Sequence, residues 1–586
     1  MPPADLRAIR TLLPAWLVAI LMQLRELFRY AKRLRLTSPA ARRETAQQEL
    51  QALAQRPLIS IVMPTYRTDL RYLREAVDSV RRQHYPEWEL VIVDDGSGQP
   101  ELERAIAAYA AAEPRIKSQA NARNAGISAA SNDGLALCSG EFVGFLDHDD
   151  TLTDDALLRV AQVLTADPGL DVVYTDSDKL TIKGIRADPF LKPDWSPVYA
   201  LGAMYIGHLL VVRRSIALAA GGFDTSFDTI QDFEFMLRVS EHTDRIHHIP
   251  KILYHWRAIP GSIAAGTDQK SGVEELQPRA SSEHLARLGG DARVVAHDSI
   301  PHRAVLAPAN GAVPATKVSV IVASQRPAQR ERLLRSLLSV SSHPDFETIV
   351  VSPAEETDSD DRLRRLKLDG AWSRARANNL GAGAASASLL LFLGDEIEMI
   401  DRDWIEALVL HAGLPDVGAV GPMVVRNDGK VEQAGFAIGL HDPVAPMLAG
   451  FSANGDGYYG SMPCAREVSA LSADCMLVEK EAFDRIGGFN ELFSREYDDF
   501  DLCMRLAAAG SKSIYAPHPR VLSHRGERAS GDTDIVDRAL FVDLWYDQLM
   551  QGDPYFNPNF ARRGADYVPA GWREQLYRAT APLGMR

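Results

Sequence analysis

The chain has 586 residues, too many for one ordinary hydrophobic core, so at least two domains are expected. Its composition, 46% hydrophobic and 24% charged, is that of a globular protein rather than a disordered or membrane-embedded one. A net charge of −14 argues against nucleic acid as a partner, because binding phosphates draws on lysine and arginine displacing counterions.

Residues 1–56 stand apart, with ten basic residues against four acidic ones. Ile9, Leu12, Leu13, Trp16, Leu17, Ile20, Leu24, Leu27 and Phe28 recur at helical spacing beside Arg25, Arg29, Lys32, Arg33 and Arg35, which predicts a basic amphipathic helix. The uninterrupted apolar run, 12–22, is shorter than the roughly 20 residues a bilayer span needs, and no small-residue cleavage site follows it. Segment 5–36 reads either as a helix packed on protein, including a second subunit, or as one lying on an anionic membrane; the membrane is preferred. Cys138, Cys464, Cys475 and Cys503 show no disulfide or zinc spacing, which fits a reducing cytoplasm.

From Pro57, short apolar strands alternate with helices: LISIVMPTY, a helix over 73–82, WELVIVDDGS, a helix over 102–112. Such alternation predicts an α/β domain, 57–263, around a mostly parallel sheet covered on both faces. Ligands of such sheets sit at the carboxyl ends of strands, where MPTY, VDDGS and FLDHDD fall.

The same order then recurs. KVSVIVASQRP echoes PLISIVMPTYR, FETIVVSP echoes WELVIVDDGS, and NNLGAGAASASLLLFLGDEIE echoes NAGISAASNDGLALCSGEFVGFLDHDD. FDTIQDFEFMLRVS is matched by FSREYDDFDLCMRLAA, and ILYHWR by VLSHRG; Asp232 precedes His255 by 23 residues and Asp499 precedes His524 by 25. A second copy of the domain is therefore expected over 317–530, after a connector over 264–316 that holds a helical piece at 272–288. Residues 531–586 read as a helix over 534–550 and an aromatic tail, DPYFNPNF, that packs back on a domain.

Carboxylates gathered at a strand end repel one another by roughly 1 kcal/mol per pair at 4 Å in water and about 4 at an effective dielectric of 20. Either solvent or a divalent cation offsets that, and oxygen ligands of this kind suit Mg²⁺ or Mn²⁺ shared with phosphates. Asp147 and Asp149 can meet one ion in a turn, whereas Asp150 and Thr151 are expected to support the start of the helix that follows, near Asp154.

M-P-T-Y, V-D-D-G-S, N-A-G-I-S-A-A-S-N, G-E-F-V-G-F-L-D-H-D-D, G-G-F, Q-D-F-E and Y-H-W-R, in this order, closely resemble family 2 glycosyltransferases of the GT-A fold. The resemblance covers nearly all of 57–257, and the second copy resembles a related domain over 318–524; tandem proteins of this kind are similar to bacterial transferases that build surface polysaccharides such as O-antigen or capsule. It implies a metal-dependent, inverting transfer of sugar from a nucleotide-sugar donor to a growing glycan or lipid-linked oligosaccharide. Asp147 and Asp149 match the motif that holds the cation on the donor diphosphate, and His255 lies where some relatives add a ligand. Pro64, Thr65, Tyr66 and Asp95 match the nucleotide site, with Asp95 accepting from the base, and Asn124 and Gly126 the loop near the donor. Asp232 matches the acid that activates the acceptor. In the second copy Asp499 keeps that position and His524 the late histidine, Asp395 and Glu396 offer metal ligands, and Ser352 and Pro353 replace Asp94 and Asp95.

The expectation is thus a cytoplasmic enzyme at the inner face of the membrane, bifunctional or with one active domain and a second that binds glycan, serves as a scaffold or shapes a dimer. A nucleotidyltransferase is the rival enzyme class, disfavoured by the lack of a Gly-rich phosphate loop with a lysine.

Overall fold

The computed structural model describes residues 39–259, 272–311, 313, 315–354, 362–525 and 534–570. The helix expected over 5–36 lies outside them.

Strands Ile59–Thr65 and Trp88–Asp94 are buried at every position. That is why both read as continuous apolar runs: a central parallel strand is covered on both faces and has no solvent side to alternate with. Helix Leu70–Arg81 crosses between them. Asp69 starts it by accepting from Arg71 N, and Leu73, Ala76, Val77 and Val80, at helical spacing, face the sheet.

The first sheet has the order Ile116–Ala120, Trp88–Asp94, Ile59–Thr65, Phe142–Phe145, Leu210–Arg213, Val172–Thr181, Ile246–Ala258, Thr151–Leu152, with Arg186–Phe190 added beside Val172–Thr181. Its first four strands are parallel, and Leu210–Arg213 runs against both neighbours. The second sheet repeats the order: Leu363–Lys367, Phe346–Ser352, Val318–Ala323, Leu389–Leu393, Cys475–Glu479, Val417–Arg426, Lys512–Ser523, Ile397–Met399. Its senses repeat too, and so does its register, with Val318 opposite Phe346 and Leu389 as Ile59 is opposite Trp88 and Phe142. Helices cover both faces of each sheet, so the α/β architecture expected from the repeated motifs is present twice.

Three details differ from the sequence reading. Within the stretch 1–56, residues 39–51 form a separate helix, Pro39–Gln51, that packs on the first body: Ala46 is buried in its core and Glu49 pairs with Arg159 at 2.8 Å. The connector holds helix Val273–Arg287 as expected, and also a hairpin, Ala292–Ala296 with Ala304–Pro308. The C-terminal helix is two, Ile535–Leu544 and Tyr546–Gln551, after which the aromatic tail enters the cleft between the sheets.

That cleft is closed by specific bonds. Glu467, fully buried, accepts from Ser196 Oγ and from Val198 N at 3.0 Å, and Leu191 N donates to the Tyr458 hydroxyl at 3.0 Å. Phe190 stacks on Tyr459 at 4.4 Å. From the tail, Asn557 donates to Asp176 and to Lys192 O. His248 lies beside this contact with its ring nitrogens 3.0 Å from Asp176 and from Asp194.

Burial pulls the His248 pKa down, but the two carboxylates outweigh it and hold it above the ordinary 6.5. A raised folded-state value stabilises fully below the unfolded pKa and stops doing so as pH rises through the raised one. The thermal midpoint should therefore fall as pH climbs from about 6.5 through that window. His248→Gln should flatten the dependence; identical slopes in both proteins would remove His248 as its source.

Candidate active site

Pro64 and Thr65 end the first strand, and Thr65 Oγ1 lies 3.3 Å from both Val93 O and Asp94 Oδ1. Asp94 also accepts from Ser97 Oγ, which tightens the turn after the second strand. Gly96 in that turn has φ +66°, and a Cβ there would come within 2.6 Å of Asn124 N, so the loop carrying Asn124 lies directly against the strand end. Asp95, 2% exposed, accepts from Ala125 N at 3.0 Å and Gly126 N at 2.9 Å. Its carboxylate therefore holds the loop at the start of helix Ile127–Leu137, where the expectation had it accepting from a base. Asp228 does the same from the other side, accepting from Ser128 N at 3.1 Å; Gly126 has φ +97°, and a Cβ there would strike the Asp228 carboxylate. Tyr66 is exposed at the rim, with the Arg67 guanidinium 5.2 Å from its ring.

The three acids after Phe142–Phe145 have separate surroundings. Asp150 is buried, accepting from the Tyr254 hydroxyl at 2.5 Å and Arg257 N at 2.6 Å. This corrects its expected capping role: Thr151 and Leu152 form a short strand against His255 and Tyr254, and the next helix, Ala156–Ala166, starts only after Asp155. Asp147 and Asp149 stay accessible from the strand end. Asp147 N donates to the Tyr254 hydroxyl, and the Asp147 carboxylate lies 3.5 Å from His208 Nε2. Burial lifts Asp149 above the usual carboxylate range, with His148 opposing and Asp147 adding to the shift; burial lifts Asp150 further, helped by both neighbours.

Among the described residues no three or more His, Cys, Asp and Glu side chains converge to hold a metal. His255 is held through Nδ1 by Asp178 at 2.6 Å, and Asp178 in turn binds Arg186, which leaves Nε2 as the ring nitrogen open to a ligand. Two accessible carboxylates remain. That donor set fits Mg²⁺ or Mn²⁺, which are commonly held by one or two carboxylates with the remaining positions left to substrate phosphates and water.

Asp232 sits in the first turn of helix Gln231–Ser240, where Phe233 N donates to it at 2.9 Å. Glu234 is buried and paired with Arg238. Asp232 and Asp147 line the same small pocket, about 20 Å³, with Pro64, Ile127, His208 and Phe235 around them. The acids expected to activate the acceptor and to hold the cation thus line one small pocket at the strand ends.

The second sheet is arranged otherwise. Its matching register sets Phe392 where the first sheet has Phe145, so Gly394 falls at the place of Asp147 and Glu396 at that of Asp149. Asp395 accepts from Ser324 Oγ and from Arg326 Nε at 3.1 Å, while Glu396 accepts from Arg326 at 2.7 Å and from Arg525 at 2.8 Å. Asp474, the counterpart of His208 by register, pairs with Arg525 at 2.9 Å, and His524 is bound to Glu398 at 2.5 Å. Two guanidinium groups therefore neutralise acids for which a divalent cation was expected, and Asp395, Glu396 and His524 do not form a metal site.

Asp499 is also closed off. It is 2% exposed, accepts from Ala473 N at 3.0 Å and lies 3.1 Å from Arg374, which also grips Asp498. Burial pushes Asp498 up to about 6 even though Arg374 opposes the shift. Arg374 opens helix Arg374–Ala384 where Ile127 opens its counterpart, so the residue that lines the first pocket is replaced by one that clamps the second acid.

A family model described as glycosyl transferase family 2 matches residues 60–217. The first sheet is a family 2 glycosyltransferase domain. The chain is 36% identical over 557 residues to the O-antigen biosynthesis protein RfbC of Myxococcus xanthus, covering 90% of this chain and 42% of that protein. It is 34% identical to the uncharacterized protein y4gI of Sinorhizobium fredii, covering 87% and 58% respectively. A chondroitin synthase of Escherichia coli is 31% identical over 40% of this chain and 33% of its own length. The chain spans about half the length of the first two relatives. The family 2 domain has the sheet expected of a GT-A enzyme, and the second sheet repeats it without the same site chemistry.

His208, Asp228 and Tyr254 are site residues that the motifs do not single out. Tyr254 stood inside the YHWR match, next to the histidine that drew attention. His208 and Asp228 lie far in sequence from the Asp147 carboxylate and the Ser128 N–H that they meet, and nothing local marks them.

Proposed function

We propose that the family 2 domain transfers a sugar from a nucleotide-sugar donor to a growing glycan of a bacterial surface polysaccharide. The reading is supported above all by Asp147 and Asp232 lining one pocket at the strand ends. Asp147 and Asp149 would hold Mg²⁺ or Mn²⁺, which supplies positive charge against the departing nucleoside diphosphate. The loop shaped by Asp95 and Asp228 brings main chain close to the donor. Asp232 takes the proton of the acceptor hydroxyl as that oxygen attacks the anomeric carbon from the side opposite the leaving group, so configuration inverts and no covalent intermediate forms. The name of the Myxococcus xanthus relative supports the O-antigen-like product class.

The second sheet acts here as a scaffold or glycan-binding module. The observation favouring this over bifunctionality is that Arg326, Arg525 and Arg374 occupy its acids.

The test is a panel of UDP-, GDP- and dTDP-sugars offered with a lipid-linked acceptor and Mn²⁺ or Mg²⁺, reading nucleotide release with and without chelator. Chelator-sensitive release of nucleoside diphosphate is expected. Pyrophosphate instead would favour the nucleotidyltransferase class, and no turnover of any donor would sink the reading.

The basic segment 5–36 would keep the enzyme at an anionic membrane bearing a lipid-linked acceptor; its excess of positive charge supports this. Among the described residues no helix is long and apolar enough to cross a membrane. Removing residues 1–38, which leaves helix Pro39–Gln51 in place, should abolish co-sedimentation with anionic vesicles. Unchanged binding would discard the membrane role.

A further inference from the structure

Behind the pocket lies a buried lysine that the proposed chemistry does not use. Lys192 is 0% exposed. Its ammonium donates to Thr175 O at 2.6 Å, to His208 O at 2.9 Å and to Ile206 O. An ammonium has three N–H donors and no acceptor, and three carbonyls meet them here. Two of those carbonyls belong to the segment 206–208, which carries the His208 side chain to 3.5 Å from Asp147; Gly207 between them has φ +48°.

Lys192 is itself held from its main chain. Its N–H donates to Asp176 at 2.8 Å, and its carbonyl accepts from Asn557 Nδ2 at 2.8 Å, while the same amide donates to Asp176 at 3.0 Å. Asn557 is 2% exposed and comes from the tail that follows the second sheet. Asp194 N donates to Pro554 O at 2.8 Å and Asn559 donates to Pro250 O at 2.7 Å, so the tail is anchored on both sides of this point. A continuous run of buried hydrogen bonds therefore leads from the C-terminal tail to the wall of the family 2 pocket.

We infer that Lys192 is a positioning residue, fixing the 206–208 segment and with it His208 beside Asp147, and that Asn557 of the tail holds Lys192 in place. The second body's tail thus completes the first body's site from behind, which gives the second sheet a reason to be retained although its own acids are neutralised. The catalytic part of this inference rests on the proposed transferase function; the structural part does not.

Two variants test it in the full chain, Lys192→Met and Asn557→Ala. Hydrogen exchange measured by mass spectrometry should rise at least tenfold for amides of 206–210 in both, with strand Ile59–Thr65 unchanged. The metal concentration giving half-maximal nucleotide release should rise about fivefold or more, with a smaller change in kcat. A merely structural loss would raise exchange across the whole first sheet. That outcome, or wild-type exchange at 206–210 in either variant, overturns the inference. Should Lys192→Met fail to fold, Asn557→Ala still decides, since its side chain touches the run only at Asp176 and Lys192 O. If the wild type turns over no donor, the transferase reading fails by itself while the exchange measurement still reads the positioning role.

Discussion

Replacing Asp232 by Asn should lower sugar transfer by about 10² to 10⁴ in kcat with the fold intact, because general-base help to an attacking hydroxyl is typically worth that much. Asn keeps the size of the side chain and an oxygen to accept from Phe233 N, the bond that now holds Asp232 at the helix start. What it removes is the ability to take a proton. The donor KM should change little, since the proposed function gives Asp232 no contact with the donor. The matching change in the second sheet, Asp499→Asn, should leave transfer within about twofold. A loss of transfer in that variant comparable to the one in Asp232→Asn, in a protein with wild-type circular dichroism, would return the second sheet to catalysis.

The other large effect concerns the metal-side acids. Asp149→Asn is expected to remove several kcal/mol of charge stabilisation from the leaving diphosphate, at least about a hundredfold in rate at 1.36 kcal/mol per decade. Added Mn²⁺ should recover part of it. Glu396→Gln should behave in the opposite manner: no effect on transfer or on metal requirement, but lower stability, because the Arg326 and Arg525 guanidiniums then share one carboxylate fewer. Full activity of Asp149→Asn at limiting metal would dismiss the two-carboxylate site. A metal requirement shifted by Glu396→Gln would dismiss the distinction between the sheets.

Much of the architecture was legible because it is local. A run such as ISIVMPT identifies a buried parallel strand by itself, and its recurrence as VSVIVAS gave away the second sheet before any contact was known. Asp147, Asp149 and Asp232 could be picked out for the same reason, each standing in a short motif at a strand or helix end. What stayed hidden was the use of each charge, which depends on partners distant in the chain. Arg326 meets Asp395 across 69 residues, Arg374 meets Asp498 across 124 and Arg525 meets Glu396 across 129. LGDEIE retains acids, so letters alone suggested a metal site. Only the ladder register, which puts Gly394 opposite the role of Asp147, and the incoming guanidiniums reveal that the charge balance is internal. Asp150 misled in the reverse direction: it looked like a helix cap because a helix follows, but Tyr254 and Arg257 arrive from a strand a hundred residues later.

The tail contact also sets an order of events during synthesis. Asn557 lies 365 residues after the carbonyl of Lys192 to which it donates. At about 5–20 residues per second, the ribosome needs roughly 20–70 s to reach it after Lys192 has been made. Through that interval the nascent first body can form its sheet but has Asp176 and the Lys192 carbonyl without their amide partner. Completion of the pocket wall then waits for residue 557 to be made rather than for the first sheet to fold, and a chain cut off before residue 557 would emerge folded in outline with that wall unfinished.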